Sequence, residues 1–312
     1  MEKQIKPKRL APGARIGIVN PAYWLEEERL QRASRVFEEF GYRLVPGDST
    51  RRRKNRYAGS AKSRAADIMA MFCDGSIDAI LCARGGYGGN RVLPRLDYDL
   101  IRANPKIFVG YSDVTGINLS MAQRSGLVTF HGPMLTSFGE QTVPYNLDTL
   151  FDVLSGREML RIESVAGCRA QILKPGSGRG PAWGGNVSLL VERLGTKDQV
   201  NTRGCILFLE EIGESLHVFD RMLLHLRHSG SLEHINGLVI GELTEMEDGE
   251  VPFGKDTDEI VLDVCADLDI PIISNFPCGH GKYQATLPIG HEIELDALGE
   301  KPFILIPEAP VA

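Results

Sequence analysis

The chain has 312 residues, 43% apolar and 24% charged, with a formal net charge of -6. That length holds one large core or two smaller ones, and the acidic balance argues against a nucleic-acid-binding surface. No stretch approaches the roughly 20 apolar residues that cross a bilayer. The charged segment 1–10 lacks the apolar core of a secretory leader, and the six cysteines form no C-x-x-C pair, so the sequence implies a cytoplasmic protein with reduced thiols.

In chain order, residues 15–20 read as a buried strand. Residues 25–40 read as a helix, with Leu30, Ala33, Phe37 and Phe40 at helical spacing and Gly41 as its stop. A short strand follows at 42–45. The basic run Arg51-Arg52-Arg53-Lys54 with Arg56 reads as a solvated loop, with a docking patch for an anionic partner as its alternative. A helix at 61–73 places Ala65, Ile68, Met69 and Phe72 on one face. Strands at 78–83, 106–110 and 128–131 and a helix at 115–122 complete the first half. Strands alternating with helices imply a parallel sheet covered on both faces.

The pattern fails between 154 and 185, where 174–181 has loop composition. The sequence therefore divides into a first domain over 1–155, a linker over 156–180 and a second domain over 181–312. The second domain is expected to hold helices at 186–194, 215–228 and 256–265, with strands at 205–209, 237–241 and 271–274. Antiparallel strands are expected within 291–306.

Three chemical side chains sit at the carboxyl ends of expected strands, where sites of open α/β sheets collect. Ser112 lies in Gly110-Tyr111-Ser112-Asp113-Val114, a tight strand-to-helix turn that exposes a hydroxyl near backbone N–H groups. Glu210 ends an apolar run, and His280 sits between glycines in a flexible loop. A serine nucleophile needs an imidazole to take its proton, and the imidazole needs a carboxylate to fix its tautomer. Taken singly, Ser112 also fits a helix cap, Glu210 a solvated strand end and His280 a turn cap. Val114 stands where a G-x-S-x-G elbow has its second glycine.

The run Arg84-Gly85-Gly86-Tyr87-Gly88-Gly89 lets backbone approach a ligand and present N–H groups. It lacks the Lys-Ser/Thr of a phosphate loop, so an oxyanion donor, a carboxylate nest or a plain tight turn fits better. His217, His225, His228 and His234 lack the companion ligands of a zinc site, and no metal or cofactor is expected. Trp183 suits either a substrate path or a core.

Taken in order, Arg84-Gly85-Gly86-Tyr87-Gly88, Gly110-Tyr111-Ser112-Asp113-Val114-Thr115, Gly184-Gly185-Asn186, Leu209-Glu210-Glu211-Ile212-Gly213-Glu214 with Asp220-Arg221, and Gly279-His280 before Leu287-Pro288-Ile289-Gly290 resemble the motif series of the LD-carboxypeptidases, the murein tetrapeptide carboxypeptidase family of serine peptidases. The resemblance runs through nearly the whole chain. It implies an N-terminal doubly wound parallel sheet domain and a smaller C-terminal α/β domain rich in β-structure. Ser112 falls on the nucleophile, His280 on the base and Glu210 on the orienting acid, with Glu211 standing where the family often has aspartate. The backbone N–H groups of Gly86 and Asp113 fall on the oxyanion donors. Arg84, Gly85 and Tyr87 become candidates to hold the substrate, Arg84 being equally placed for a structural ion pair. The implied substrate is a murein peptide, and the implied assembly a homodimer in the cytoplasm. The enzyme alternative is the related hydrolase of peptidyl-nucleotide antibiotics such as microcin C. The non-enzyme alternative is a two-domain small-ligand binding protein.

Overall fold

The computed structural model describes residues 4–312. Two compact units emerge. One comprises the chain through Arg157 with Ala285–Gly290 and Ala309–Ala312, and the other Glu158–Gln284 with His291–Glu308.

The first unit runs β1 (Arg15–Val19), α1 (Glu27–Glu39), β2 (Arg43–Pro46), α2 (Ala61–Cys73), β3 (Ala79–Cys82), α3 (Tyr98–Ala103), β4 (Ile107–Val109), α4 (Thr115–Ser125), β5 (Thr129–His131) and α5 (Pro144–Leu154). Beyond Arg15, β1 is buried and apolar, and β3 is so throughout, as strands covered on both faces must be. α2 opens on Ser60, whose side chain accepts from the Ser63 N–H, and presents Ala65, Ile68 and Phe72 to the core. There Phe72 stacks on Phe108 of β4 at 6.2 Å between ring centroids. The strand order is β2-β1-β3-β4-β5, all parallel, with Leu287–Ile289 returning to pair antiparallel with β5. Chain direction across the sheet reverses between β1 and β3. In such a sheet the crevice outside the carboxyl ends of those two strands is the natural ligand site.

The second unit carries β6 (Leu160–Glu163), β7 (Gln171–Lys174), β8 (Gly176–Asn186), α6 (Val187–Val191), β9 (Ile206–Ile212), α7 (Leu216–His228), β10 (Gly237–Thr244), α8 (Thr257–Val264) and β11 (Ile272–Gly279). After the return strand, β12 (Leu287–Ile289), come β13 (Glu292–Ala297) and β14 (Phe303–Ile306). They build one eight-stranded sheet, β6-β14-β13-β8-β9-β10-β11-β7. β8 to β11 are mutually parallel, and the outer pairings are antiparallel.

The structure departs from two sequence expectations. Residues 156–180 are not a linker, because they form β6, β7 and the start of β8. The glycines of 176–180 serve close packing: a β-carbon at Gly178 would overlap the Asn236 carbonyl, and one at Gly180 the Gly204 carbonyl. The boundary at 181 also moves, and residues 285–290 and 309–312 belong to the first unit. Among the described residues no helix is long and apolar enough to cross a membrane.

Gly184 in β8 tests this register. It has φ +148°, and a β-carbon there would run into the backbone of Phe208 in β9. Gly184→Ala is expected to destabilise by about 3 kcal/mol, whereas Gly249→Ala, with its nearest neighbour 3.6 Å away, should stay within about 0.5 kcal/mol. Denaturant unfolding of both variants checks this; a Gly184→Ala protein as stable as the parent would mean that β8 and β9 are not so paired.

Candidate active site

β4 ends at Val109, and the chain turns through Gly110-Tyr111-Ser112. Ser112 has φ +60°, the left-handed region that a β-carbon makes costly. The surroundings hold it there. Asn118 of α4 donates from Nδ2 to the Gly110 carbonyl at 2.7 Å and to the Phe130 carbonyl at 3.2 Å. The Gly110 N–H donates to the same Phe130 carbonyl at 3.0 Å. A β-carbon on Gly110 would stand 2.6 Å from Val114 Cγ1. Val114 is fully buried in the core. The residue that breaks the G-x-S-x-G pattern thus anchors the turn by packing.

Asp113 ties this turn to the glycine run. Its carboxylate is buried and accepts the Gly88 N–H at 3.2 Å and the Gly89 N–H at 2.6 Å. Arg64 of α2, 2% exposed, donates to the Gly88 carbonyl at 2.9 Å and to the Pro21 carbonyl, with Tyr57 at 5.2 Å from its guanidinium. Burial lowers the Arg64 pKa, and the Asp113 charge opposes that shift. A carboxylate nest built from the whole glycine run is therefore ruled out, because two of its amides already serve Asp113.

The remaining glycines crowd the serine. A β-carbon on Gly85 would stand 3.0 Å from Ser112 Oγ. Gly86 has φ +120°, with the Tyr23 ring where a side chain would go. Its N–H donates to no group among the described residues. Tyr87 is half exposed. Arg84 donates to the Trp24 carbonyl at 3.4 Å and lies 5.5 Å from the Tyr23 ring, so its contacts are with a carbonyl and a ring rather than a carboxylate.

In the second unit β9 does not end at Glu210 but continues to Ile212, and β11 does not stop at 274 but reaches Gly279. Glu210 is 0% exposed, and its Oε2 lies 2.6 Å from His280 Nδ1. The strand pairing makes this possible. Pairing of β10 with β9 is irregular between Ile240 and Leu243, and with β11 between Val239 and Glu242. Such irregularities re-aim side chains beside sites. Gly279, at φ +111°, leaves room for the carboxylate: a β-carbon there would stand 2.8 Å from Glu210 Oε2. Burial disfavours the His280 imidazolium, but the Glu210 hydrogen bond and charge, with Glu211 and Glu245, outweigh it and hold the pKa above the ordinary histidine value.

Glu211 points elsewhere. It accepts from Asn186 Nδ2 at 2.6 Å and from the Ser188 N–H at 2.8 Å, and burial raises its pKa. The loop carrying His280 is held rather than loose, with Gln284 Nε2 donating to the Gly279 carbonyl at 3.1 Å. Of the expected residues, Arg84, Gly85, Gly86, Tyr87, Ser112 and Asp113 belong to the first unit and Glu210 and His280 to the second.

Asn118 and Arg64 support these groups without having been singled out from sequence, while Asn186, quoted only within Gly184-Gly185-Asn186, holds Glu211. A polar side chain on the buried face of a helix, as at 64 and 118, was the available signal. Trp183 is buried, 4% exposed. Among the described residues no three His, Cys, Asp or Glu side chains are placed to hold a metal ion.

The LD-carboxypeptidase N-terminal domain matches residues 16–132, and the LD-carboxypeptidase C-terminal domain matches 179–295. A Streptomyces coelicolor protein named "Putative carboxypeptidase" is 36% identical over 95% of both chains. The "Probable murein peptide carboxypeptidase" of Bacillus subtilis is 34% identical over 91% of this chain and 89% of its own. The crystal structure of an MccF-like protein from Bacillus anthracis superposes with a TM-score of 0.88 at 30% identity, covering 97% of this chain and 99% of that one. With both domain models matched in order and relatives of this identity along nearly its whole length, the chain belongs to the LD-carboxypeptidase family.

Proposed function

We propose that the chain is a serine-type LD-carboxypeptidase that releases the terminal D-alanine of murein tetrapeptide during peptidoglycan recycling. The observation that carries this reading is the pairing of a fully buried Glu210 with His280 Nδ1, which leaves Nε2 as the basic nitrogen. The left-handed turn at Ser112 and the murein-peptide name of the Bacillus subtilis relative support it.

In the proposed reaction His280 Nε2 takes the Ser112 proton as Oγ attacks the carbonyl of the L-configured centre that precedes D-alanine. The N–H groups of Gly86 and Asp113 hold the oxyanion, a contribution of about 3 kcal/mol per donor in comparable sites. Protonated His280 gives its proton to the leaving amine, and D-alanine departs. Water, deprotonated by His280, then cleaves the acyl-enzyme. Glu210 fixes the tautomer and stabilises the imidazolium without itself taking the proton. The same reading places the enzyme in the cytoplasm as a homodimer.

The second reading, hydrolysis of a peptidyl-nucleotide, is favoured by the likeness to the MccF-like structure. Incubation with L-Ala-γ-D-Glu-diaminopimelate-D-Ala and with a peptidyl-adenylate, scored for D-alanine and nucleotide release, separates the two. D-alanine from the tetrapeptide is expected. Nucleotide release alone would overturn the carboxypeptidase reading in favour of the second.

Ser112→Ala and His280→Ala are each expected to lower kcat at least about 10⁴-fold, and Glu210→Gln about 10³- to 10⁴-fold. Glu211→Gln should cost stability more than kcat, since its carboxylate bonds Asn186 and Ser188. Unchanged turnover by Ser112→Ala would sink the triad.

The base must be neutral, and its pKa is raised. The acid limb of log kcat/KM should therefore have its midpoint above about 6.5, the ordinary histidine value, with activity lost as pH falls through it. In Glu210→Gln the residual activity should show that midpoint displaced to lower pH, because the charge favouring imidazolium is gone. A midpoint that does not move would mean that Glu210 does not control His280.

A further inference from the structure

The basic run at 51–56 is not simply a solvated loop. Arg52 is paired with Asp48 at 3.0 Å. Residues 54–57 are folded back by the reciprocal N–H to carbonyl bonds of Lys54 and Tyr57, at 2.8 and 3.0 Å, with Asn55 in the left-handed region at φ +53°. This turn is bridged to the segment that follows β1. Tyr23 pairs with Tyr57, the Trp24 N–H donates to the Arg56 carbonyl at 3.3 Å, and the Ala58 N–H to the Ala22 carbonyl at 3.0 Å. Below it Asp67, buried, accepts the Asp48 and Ser49 N–H groups, both at 2.9 Å.

On this frame two exposed guanidiniums lie against rings. Arg53 sits 3.7 Å from the Trp24 ring. Arg56 sits 5.6 Å from the Tyr23 ring and donates to the Tyr23 hydroxyl at 3.0 Å. Arg84, from the end of β3, faces Tyr23 at 5.5 Å. A guanidinium laid on an aromatic face keeps N–H edges for a planar anion.

The cluster is also well placed. Tyr23 and Trp24 follow β1 and Arg84 follows β3, the two strands that flank the switch point of the sheet. Tyr23 packs on Gly86 and its N–H donates to the Gly85 carbonyl at 3.4 Å, while Gly85 abuts Ser112. In a chain of net charge -6, three cations gathered around the adjacent residues Tyr23 and Trp24 select for an anion.

We propose that Arg53, Arg56 and Arg84 form a carboxylate-recognising rim that holds an acidic group of the peptide substrate remote from the scissile bond. The proposal rests on the peptidase reading above for its substrate. It assigns Arg84 to binding rather than to a structural ion pair, and it gives Arg53 and Arg56 the same task.

The test uses the tetrapeptide L-Ala-γ-D-Glu-diaminopimelate-D-Ala and the same peptide with the free D-Glu carboxylate converted to a carboxamide. For the wild type, kcat/KM is expected to favour the acidic peptide by about three- to tenfold, and the preference should shrink as salt rises, because exposed charges are screened. In Arg53→Gln/Arg56→Gln the preference should fall toward one. A preference unchanged in the double variant, or absent from the wild type, overturns the rim. Calorimetric affinities of Ser112→Ala protein for the two peptides give the same ratio without turnover, so loss of the peptidase reading and loss of the rim are separable. The salt dependence of the wild-type ratio decides the matter if the double variant does not fold. If the double variant weakens only a peptidyl-adenylate, the rim is a phosphate site and the carboxylate assignment is wrong.

Discussion

A carboxylate with no exposed surface is expensive unless something compensates its charge, and the second unit is arranged around one. Glu210 lies on β9, inside the parallel part of the sheet, and its Oε2 meets His280 Nδ1 at 2.6 Å. Each surrounding peculiarity serves that contact. β10 is irregularly paired with both neighbours at this level. Gly279 leaves the volume that the carboxylate occupies. Glu211, next in sequence, is turned to Asn186 and Ser188, so alternation along a strand places the two acids on opposite faces and gives them separate tasks. The histidine gains a fixed tautomer and a raised pKa.

The first unit solves a different problem, that of holding a strained backbone. Ser112 adopts a left-handed conformation that costs on the order of 1 kcal/mol or more. The cost is offset by Asn118 beneath the turn, by Val114 packed against Gly110, and by Asp113, whose carboxylate bonds two amides of the glycine run. Because Asp113 follows the serine directly, the glycine run and the turn are coupled through a single residue. Arg64 closes the network from below by holding the Gly88 carbonyl. Removal of Asp113 would take away the charge that opposes the desolvation of buried Arg64 and leave two amides without their acceptor, a loss of several kcal/mol by the usual cost of such orphans. The same coupling connects the Tyr23–Arg56 frame to the serine, since Tyr23 packs on Gly86.

Much of this was legible from residues alone. Helix spacing placed α1 and α2, the latter at its observed bounds, and apolar runs with glycine turns placed β1 to β5. The elbow, the glycine run, the acid and the histidine stood out because each chemistry restricts residue type. Three things were not legible. Gly176 to Pro181 looks like a loop, since composition cannot distinguish a glycine that frees the backbone from one that lets two backbones meet. The return of residues 285–290 to the first sheet is a long-range pairing with no local signature. The true ends of β9 and β11 are hidden because charged and glycine residues there are tolerated by bulges, and a bulge depends on the neighbouring strand.

By itself, then, the sequence determined the alternating α/β order, the residue types able to do acyl-transfer chemistry and the family to which they point, because periodicity and motif spacing are local properties of the chain. Tertiary structure decided which of two adjacent glutamates meets His280, how Asp113 consumes two amides of the glycine run, and why a valine suits the serine turn. It also turned a basic run into a cationic rim on aromatic faces. These depend on which side of a strand a residue faces and what the neighbouring strand leaves open, and neither is encoded within a short stretch of sequence.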